Sequence, residues 1–207
     1  MSMKKIILAS CLSLWALWSF AQAIDPLNTF LTQTKAARGS FHQQTFQKDG
    51  KPAEKPQVGN FVFSRPGKFV WTYTEPFEQE MVCDGEKIYI WDKDLNQVTV
   101  RSAKKSIPQS PASILFGTSS YQRDWNASAP LEKNGITWVT LKPKKSDSSV
   151  NSVTFGFKNN QLKKLTFVGA MGETTHLEIS ELQTDLKPSD KYFEFKPPKG
   201  ADVVEIP

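Results

Sequence analysis

Gly59-Asn60-Phe61-Val62-Phe63-Ser64-Arg65-Pro66-Gly67-Lys68-Phe69-Val70-Trp71-Thr72-Tyr73 reads as two alternating runs folded back on each other. Phe61 and Phe63 point one way across Val62, and Phe69, Trp71 and Tyr73 point one way across Val70 and Thr72. A period of two puts alternate side chains on opposite faces of a strand. Arg65-Pro66-Gly67-Lys68 supplies a proline and a glycine where a tight turn uses them. The stretch therefore predicts an antiparallel hairpin with one strongly aromatic face.

The same period continues outward. Ile88 and Ile90, Val98 and Val100, Val139 and Leu141, Val153 with Phe155 and Phe157, Leu165 and Phe167, and Leu177 and Ile179 all alternate with their neighbours. Asp84-Gly85, Asn134-Gly135 and Asn159-Asn160 mark turns between them, and Asp49 to Pro56 is a longer polar loop. About ten mostly antiparallel strands are expected. Two helices interrupt them. Asp25-Pro26 is an N-cap followed by proline at the first helical position, with Leu27, Phe30, Leu31 and Thr34 at helical spacing and Gly39 as the expected stop. Ser110-Pro111 caps a short second helix carrying Ile114, Leu115 and Phe116, closed by Gly117. Phe193 to Pro207 reads as an extended tail with a Pro-Pro-Lys-Gly turn. Such a chain folds as mainly β: a strongly curved sheet with short helices on its hollow side, or a two-sheet sandwich, since both need this alternation.

The N-terminus has a different character. Lys4 and Lys5 precede an apolar run from Ile6 to Phe20, which is too short for a comfortable membrane span, and Ala21-Gln22-Ala23 has the small-x-small form of a cleavage site. Residues 1–23 are expected to be a cleavable signal peptide, cut after Ala23, and residues 24–207 a single exported domain. Leu8-Ala9-Ser10-Cys11 is an alternative lipidation site, although too little apolar sequence precedes it. Removing Lys4 and Lys5 lowers the net charge from +5 to +3, too mild a balance to point to nucleic acid. Cys83 is then the lone cysteine, so the exported domain must be held by its core and not by a disulfide.

Motifs for chemistry are sparse. The sequence has neither a Gly-x-Ser-x-Gly elbow nor a phosphate-binding glycine loop, and no cysteine–histidine spacing suits zinc. Asp92-Lys93-Asp94-Leu95-Asn96 starts like a calcium loop but has Gln97 and Ala103 where that loop needs glycine and glutamate, so a hairpin turn is the better reading. His42 and His176 sit on strand patterns. No catalytic residue, metal or cofactor is expected, and a binding protein is favoured over an enzyme.

Several of these segments together resemble the LolA family of periplasmic outer-membrane lipoprotein carriers. They are the Phe61–Trp71 signature with its Arg65-Pro66 turn, Glu75-Pro76, Val82-Cys83-Asp84-Gly85, the opening Gly39-Ser40-Phe41-His42-Gln43, and the closing Phe193-Glu194-Phe195-Lys196-Pro197-Pro198-Lys199-Gly200. Ser102 to Lys145 matches least. The resemblance implies an unclosed β-barrel under a lid of short helices, with a hydrophobic cavity for lipoprotein acyl chains. It implies a monomer in the periplasm that takes cargo from an inner-membrane ABC-type releasing complex and passes it to an outer-membrane receptor. By the same resemblance Arg65 ties the barrel to the lid, and Phe69 lies at the cavity mouth and affects release. Trp71 and Phe61 are expected as cavity lining, and Ile114, Leu115 and Phe116 as the lid. Three rivals remain at this point: the lipid-anchored receptor of the same fold, a carrier of another lipid, and an exported hydrolase using Cys83.

Overall fold

A computed structural model describes residues 25–106, 112–116, 121–145 and 148–206. The expected leader with its cleavage site, Cys11, the Ser110-Pro111 cap and the Gly117 stop lie outside the described residues.

Helix α1 (Pro26–Gln33) leads into β1 (Ala36–Phe46), β2 (Gln57–Ser64), β3 (Lys68–Glu75), β4 (Gln79–Asp84), β5 (Lys87–Asp92) and β6 (Gln97–Ser102). Two short helices follow, α2 (Ala103–Ser106) and α3 (Ala112–Phe116). The chain returns to strands with β7 (Trp125–Ala127), β8 (Leu131–Lys133), β9 (Ile136–Pro143), β10 (Val150–Lys158), β11 (Gln161–Gly169), β12 (Thr174–Gln183) and β13 (Asp202–Ile206). Among the described residues, all thirteen strands belong to one sheet, in the order β13-β6-β5-β4-β3-β2-β1-β12-β11-β10-β9-β7, with β8 also on β9. The two ends of that path, β13 and β7, are not paired to each other, so the sheet curls without closing. Neighbours are antiparallel except β13, which runs parallel to β6.

The quoted hairpin forms β2 and β3, with Phe61 opposite Trp71 and Phe63 opposite Phe69. The two halves of the sheet meet where β12 pairs with β1, with Phe41 opposite Ile179. Alternation then places Phe41, Phe61, Phe63, Phe69, Trp71, Cys83, Ile88, Phe155, Phe157, Leu165 and Leu177 in one buried cluster on the concave side. Leu27 and Phe30 of α1 and Ile114, Leu115 and Phe116 of α3 join the same cluster.

Three details differ from the sequence reading. Helix α1 ends at Gln33, with Thr34 as its C-cap donating to the Phe30 carbonyl, and Gly39 lies inside β1. Gly39 is needed for close approach and not for a helix stop: a Cβ there would meet the Phe61 ring and the Ser180 carbonyl at 3.0 Å. Strands β7 and β8 are only three residues each, too short for a periodic signal. The tail also does more than extend. A 3-10 turn at Asp190–Phe193 packs Phe193 against the convex side of the sheet, and the chain after the Gly200 turn forms β13. Val98 and Val100 are therefore buried although they face away from the concave cluster.

Candidate functional site

The β2–β3 turn gathers the polar ties between sheet and lid. The Arg65 N–H donates to the Lys35 carbonyl (2.7 Å), just past α1, and the Gly67 N–H donates to the Phe116 carbonyl (2.6 Å), at the end of α3. Between these, the Arg65 guanidinium reaches both helices. Its Nε donates to the Leu115 carbonyl at 2.8 Å, and its Nη1 donates to the Thr34 carbonyl, with the Phe30 and Leu31 carbonyls at 3.4 Å. A planar group with five donors suits this convergence of main-chain acceptors from two helix ends. The guanidinium carbon also lies 5.1 Å from the Phe30 ring centre and 4.8 Å from that of Phe63. Burial pushes the Arg65 pKa down to about 10, still well above neutrality, so the group remains a cation.

Aromatic rings pack together on the concave face beneath. Trp71 stacks on Phe41 at 4.3 Å and on Phe61 at 5.4 Å, and Tyr73 meets Phe41 edge-on at 5.3 Å. Close packing here depends on Gly59, opposite Phe41: a Cβ at that position would stand 2.6 Å from the Phe41 ring and 2.0 Å from the Thr72 carbonyl. Phe116 brings the lid down onto this wall, stacking on Phe69 at 4.6 Å and tilting against Phe63 at 5.4 Å. On the α1 side, Phe30 packs against Phe157 of β10 at 6.1 Å. At the far end of α1, Asp25 accepts the Leu27 and Asn28 N–H groups, and the Tyr121 hydroxyl donates to its other oxygen at 3.4 Å.

All seven residues singled out from sequence thus converge on one region. Phe61, Phe69 and Trp71 form the wall, Ile114, Leu115 and Phe116 press on it, and Arg65 joins the two. Sequence reasoning did not single out Phe41, which supplies the tightest stack, or Phe30, whose ring and carbonyl both meet Arg65. In the sequence Phe41 stands out only as part of the Gly39-Ser40-Phe41-His42-Gln43 segment of the family resemblance.

A family model described as outer membrane lipoprotein carrier protein LolA matches residues 32–196. The chain belongs to that family. An outer-membrane lipoprotein carrier protein of Ralstonia nicotianae is 39% identical over 198 residues, covering 94% of this chain and 92% of its own length. One from Bordetella pertussis is 39% identical over 186 residues, covering 90% and 88%. Among solved structures, an uncharacterized conserved protein of Thermus thermophilus superposes with a TM-score of 0.54 at 10% identity, covering 88% of this chain and 96% of that one. At that identity the likeness speaks for the fold alone. The LolA match takes in all seven residues, while β13 lies beyond it.

The groups raised as chemical candidates are poorly placed for catalysis. Cys83 is fully buried (0% exposed) in the concave core, and burial pushes its thiol up to about 11, which withholds the reactive thiolate. His42 and His176 are exposed, and His176 bonds Thr166 at 3.0 Å. The Asp92 carboxylate is engaged in its own turn, accepting the Leu95 N–H at 3.1 Å.

Proposed function

We infer that this chain is a periplasmic lipoprotein carrier, in which the apolar concave face shields acyl chains and the α1–α3 lid opens to admit them. The observation that carries the reading is the construction of the lid. Two short helical segments cover an aromatic wall and are tied to it through one turn, Arg65 to Gly67. Membership of the carrier family supports the same reading.

The task has a clear energetic shape. Burying one methylene is worth about 0.8 kcal/mol, so a long acyl chain resists entering water by on the order of 10 kcal/mol. A carrier must bind against that cost and still release its cargo to a receptor that holds it better. A lid fastened by a few hydrogen bonds suits reversible opening, because each is worth only about 0.5–1.5 kcal/mol net. Arg65 acts as the fastening and Phe69 as the wall position against which Phe116 closes. Trp71 and Phe61 line the hollow, with Ile114 and Leu115 on the moving side. Cargo comes from an inner-membrane ABC-type releasing complex and goes to an outer-membrane receptor, with no reaction catalysed in the carrier.

A diffusible carrier requires residues 1–23 to be removed by cleavage after Ala23. Intact-mass analysis of the protein from periplasmic extract should find Ile24 as a free N-terminus, co-purifying with acylated protein. An acylated Cys11 at the N-terminus would instead make the chain a membrane-bound receptor.

A further inference from the structure

The concave face changes character along the strands. Across β1, β2, β3 and β4, the row nearest the lid turn is Ala37, Phe63, Phe69 and Cys83, and the next is Gly39, Phe61, Trp71 and Met81. Both rows are apolar. One step further, Phe41 and Gly59 are followed by Tyr73 and Gln79, and beyond them lie Gln43 and Gln57. Polarity thus rises from the Arg65 rim toward the opposite one.

Trp71 stands at this boundary with an unmet need. It is only 8% exposed, and its Nε1–H is buried without an acceptor among the described residues. An indole nitrogen is a donor only, and a buried donor left unpaired costs about 1–3 kcal/mol. Around it the Tyr73 hydroxyl makes a long bond to Gln43 Oε1 (3.4 Å), and Gln43 Nε2 donates to Gln57 Oε1 at 2.6 Å. The Tyr73 ring lies edge-on to the Trp71 ring at 6.4 Å, and no hydrogen bond joins its hydroxyl to the Trp71 N–H. Burial raises the Tyr73 pKa, so the phenol keeps its proton and stays a donor.

We propose that Trp71 Nε1, with Tyr73 and Gln43 beside it, is a docking point for an acyl carbonyl, the C=O oxygen of the ester that links a fatty chain to a glyceryl head. The hydrocarbon then runs along the apolar rows toward Arg65, and the head leaves past Gln43 and Gln57. An amphiphile has the same order of polarity as the wall, and its carbonyl supplies the one thing the indole lacks, an acceptor in a site closed to water. The inference rests on the carrier reading and adds to it a direction of binding and a chemical preference for acyl esters over plain hydrocarbon.

The test compares a diacylglycerol with its dialkyl ether of equal chain length, each displacing an apolar dye from the mature chain. The native protein should prefer the ester by about 3- to 10-fold, the range one hydrogen bond allows. Trp71→Phe keeps a ring between Phe41 and Phe61 and should bring the ratio to about one. In the native protein the Trp71 indole N–H resonance, assigned by its loss in Trp71→Phe, should move downfield with the ester and not with the ether. Should the variant fold poorly, that resonance decides alone. Equal affinities, a preference that survives in folded Trp71→Phe, or an unmoved resonance would overturn the docking point while leaving the carrier reading intact. Failure of both amphiphiles to displace the dye would overturn both.

Discussion

Arg65 sits where opposing demands meet. Its charge is costly to bury, as the lowered pKa records, yet its donors serve carbonyls at the ends of both lid helices and its flat face rests between Phe30 and Phe63. Removing the guanidinium relieves the buried charge but leaves the Leu115 and Thr34 carbonyls without it. Arg65→Leu is therefore expected to fold and to take up lipoprotein, since the apolar wall is untouched, and to pass cargo to the receptor at least about tenfold more slowly because coupling between lid and sheet is lost. A reconstituted transfer assay reads this directly, and transfer at the native rate would remove Arg65 from the mechanism. The turn and the arginine were legible in sequence through Arg-Pro-Gly. The acceptors were not, because main-chain carbonyls carry no residue code.

Helix α3 illustrates how little holds a short element. Five residues make barely more than one turn, which is not stable alone. Its order comes from Phe116 against Phe69 and Phe63 and from the Gly67 N–H bond. Phe116→Ala should weaken that docking by about 2 kcal/mol or more, a roughly 30-fold change in the opening equilibrium. Hydrogen exchange at the Gly67 amide should quicken accordingly, with the amides of β10 and β11 unaffected. Unchanged exchange at Gly67 would mean that the stack does not hold the lid. The first helix carries the same lesson from the other side. Its start at Asp25-Pro26 was readable from capping chemistry, but its end was misplaced at Gly39 because a glycine that admits the Phe61 ring looks in sequence like one that stops a helix.

The molecule as a whole separates two tasks onto two faces of one sheet. The concave face holds the aromatic wall and lid. The convex face over β3 to β6 is covered by the tail: Phe193 is buried there, Asp190 meets Lys68 at 2.8 Å, and Phe195 stacks on Tyr89 at 5.2 Å. Phe193→Ala should cost about 3 kcal/mol of stability, seen as a lower urea midpoint, without altering cargo uptake by the folded protein. Reduced uptake at full folding would show that the two faces are coupled. The ion pair contributes little to this, because the Asp190 side chain is largely exposed.

Alternation and turn chemistry are local properties, and they were enough to specify strands, most hairpins and the aromatic face: the spacing of Phe61, Phe63, Phe69 and Trp71 allows no other inward set. Whether such strands make a sandwich or one open, curled sheet is not local. It was settled by the long-range pairing of β1 with β12, which joins the two halves, and by the lack of pairing between β7 and β13. The same holds for the parallel docking of β13, the burial of Val98 and Val100, and the unpaired indole of Trp71. Each depends on which distant segment arrives at a face or an edge, and a period of two says only which way a side chain points.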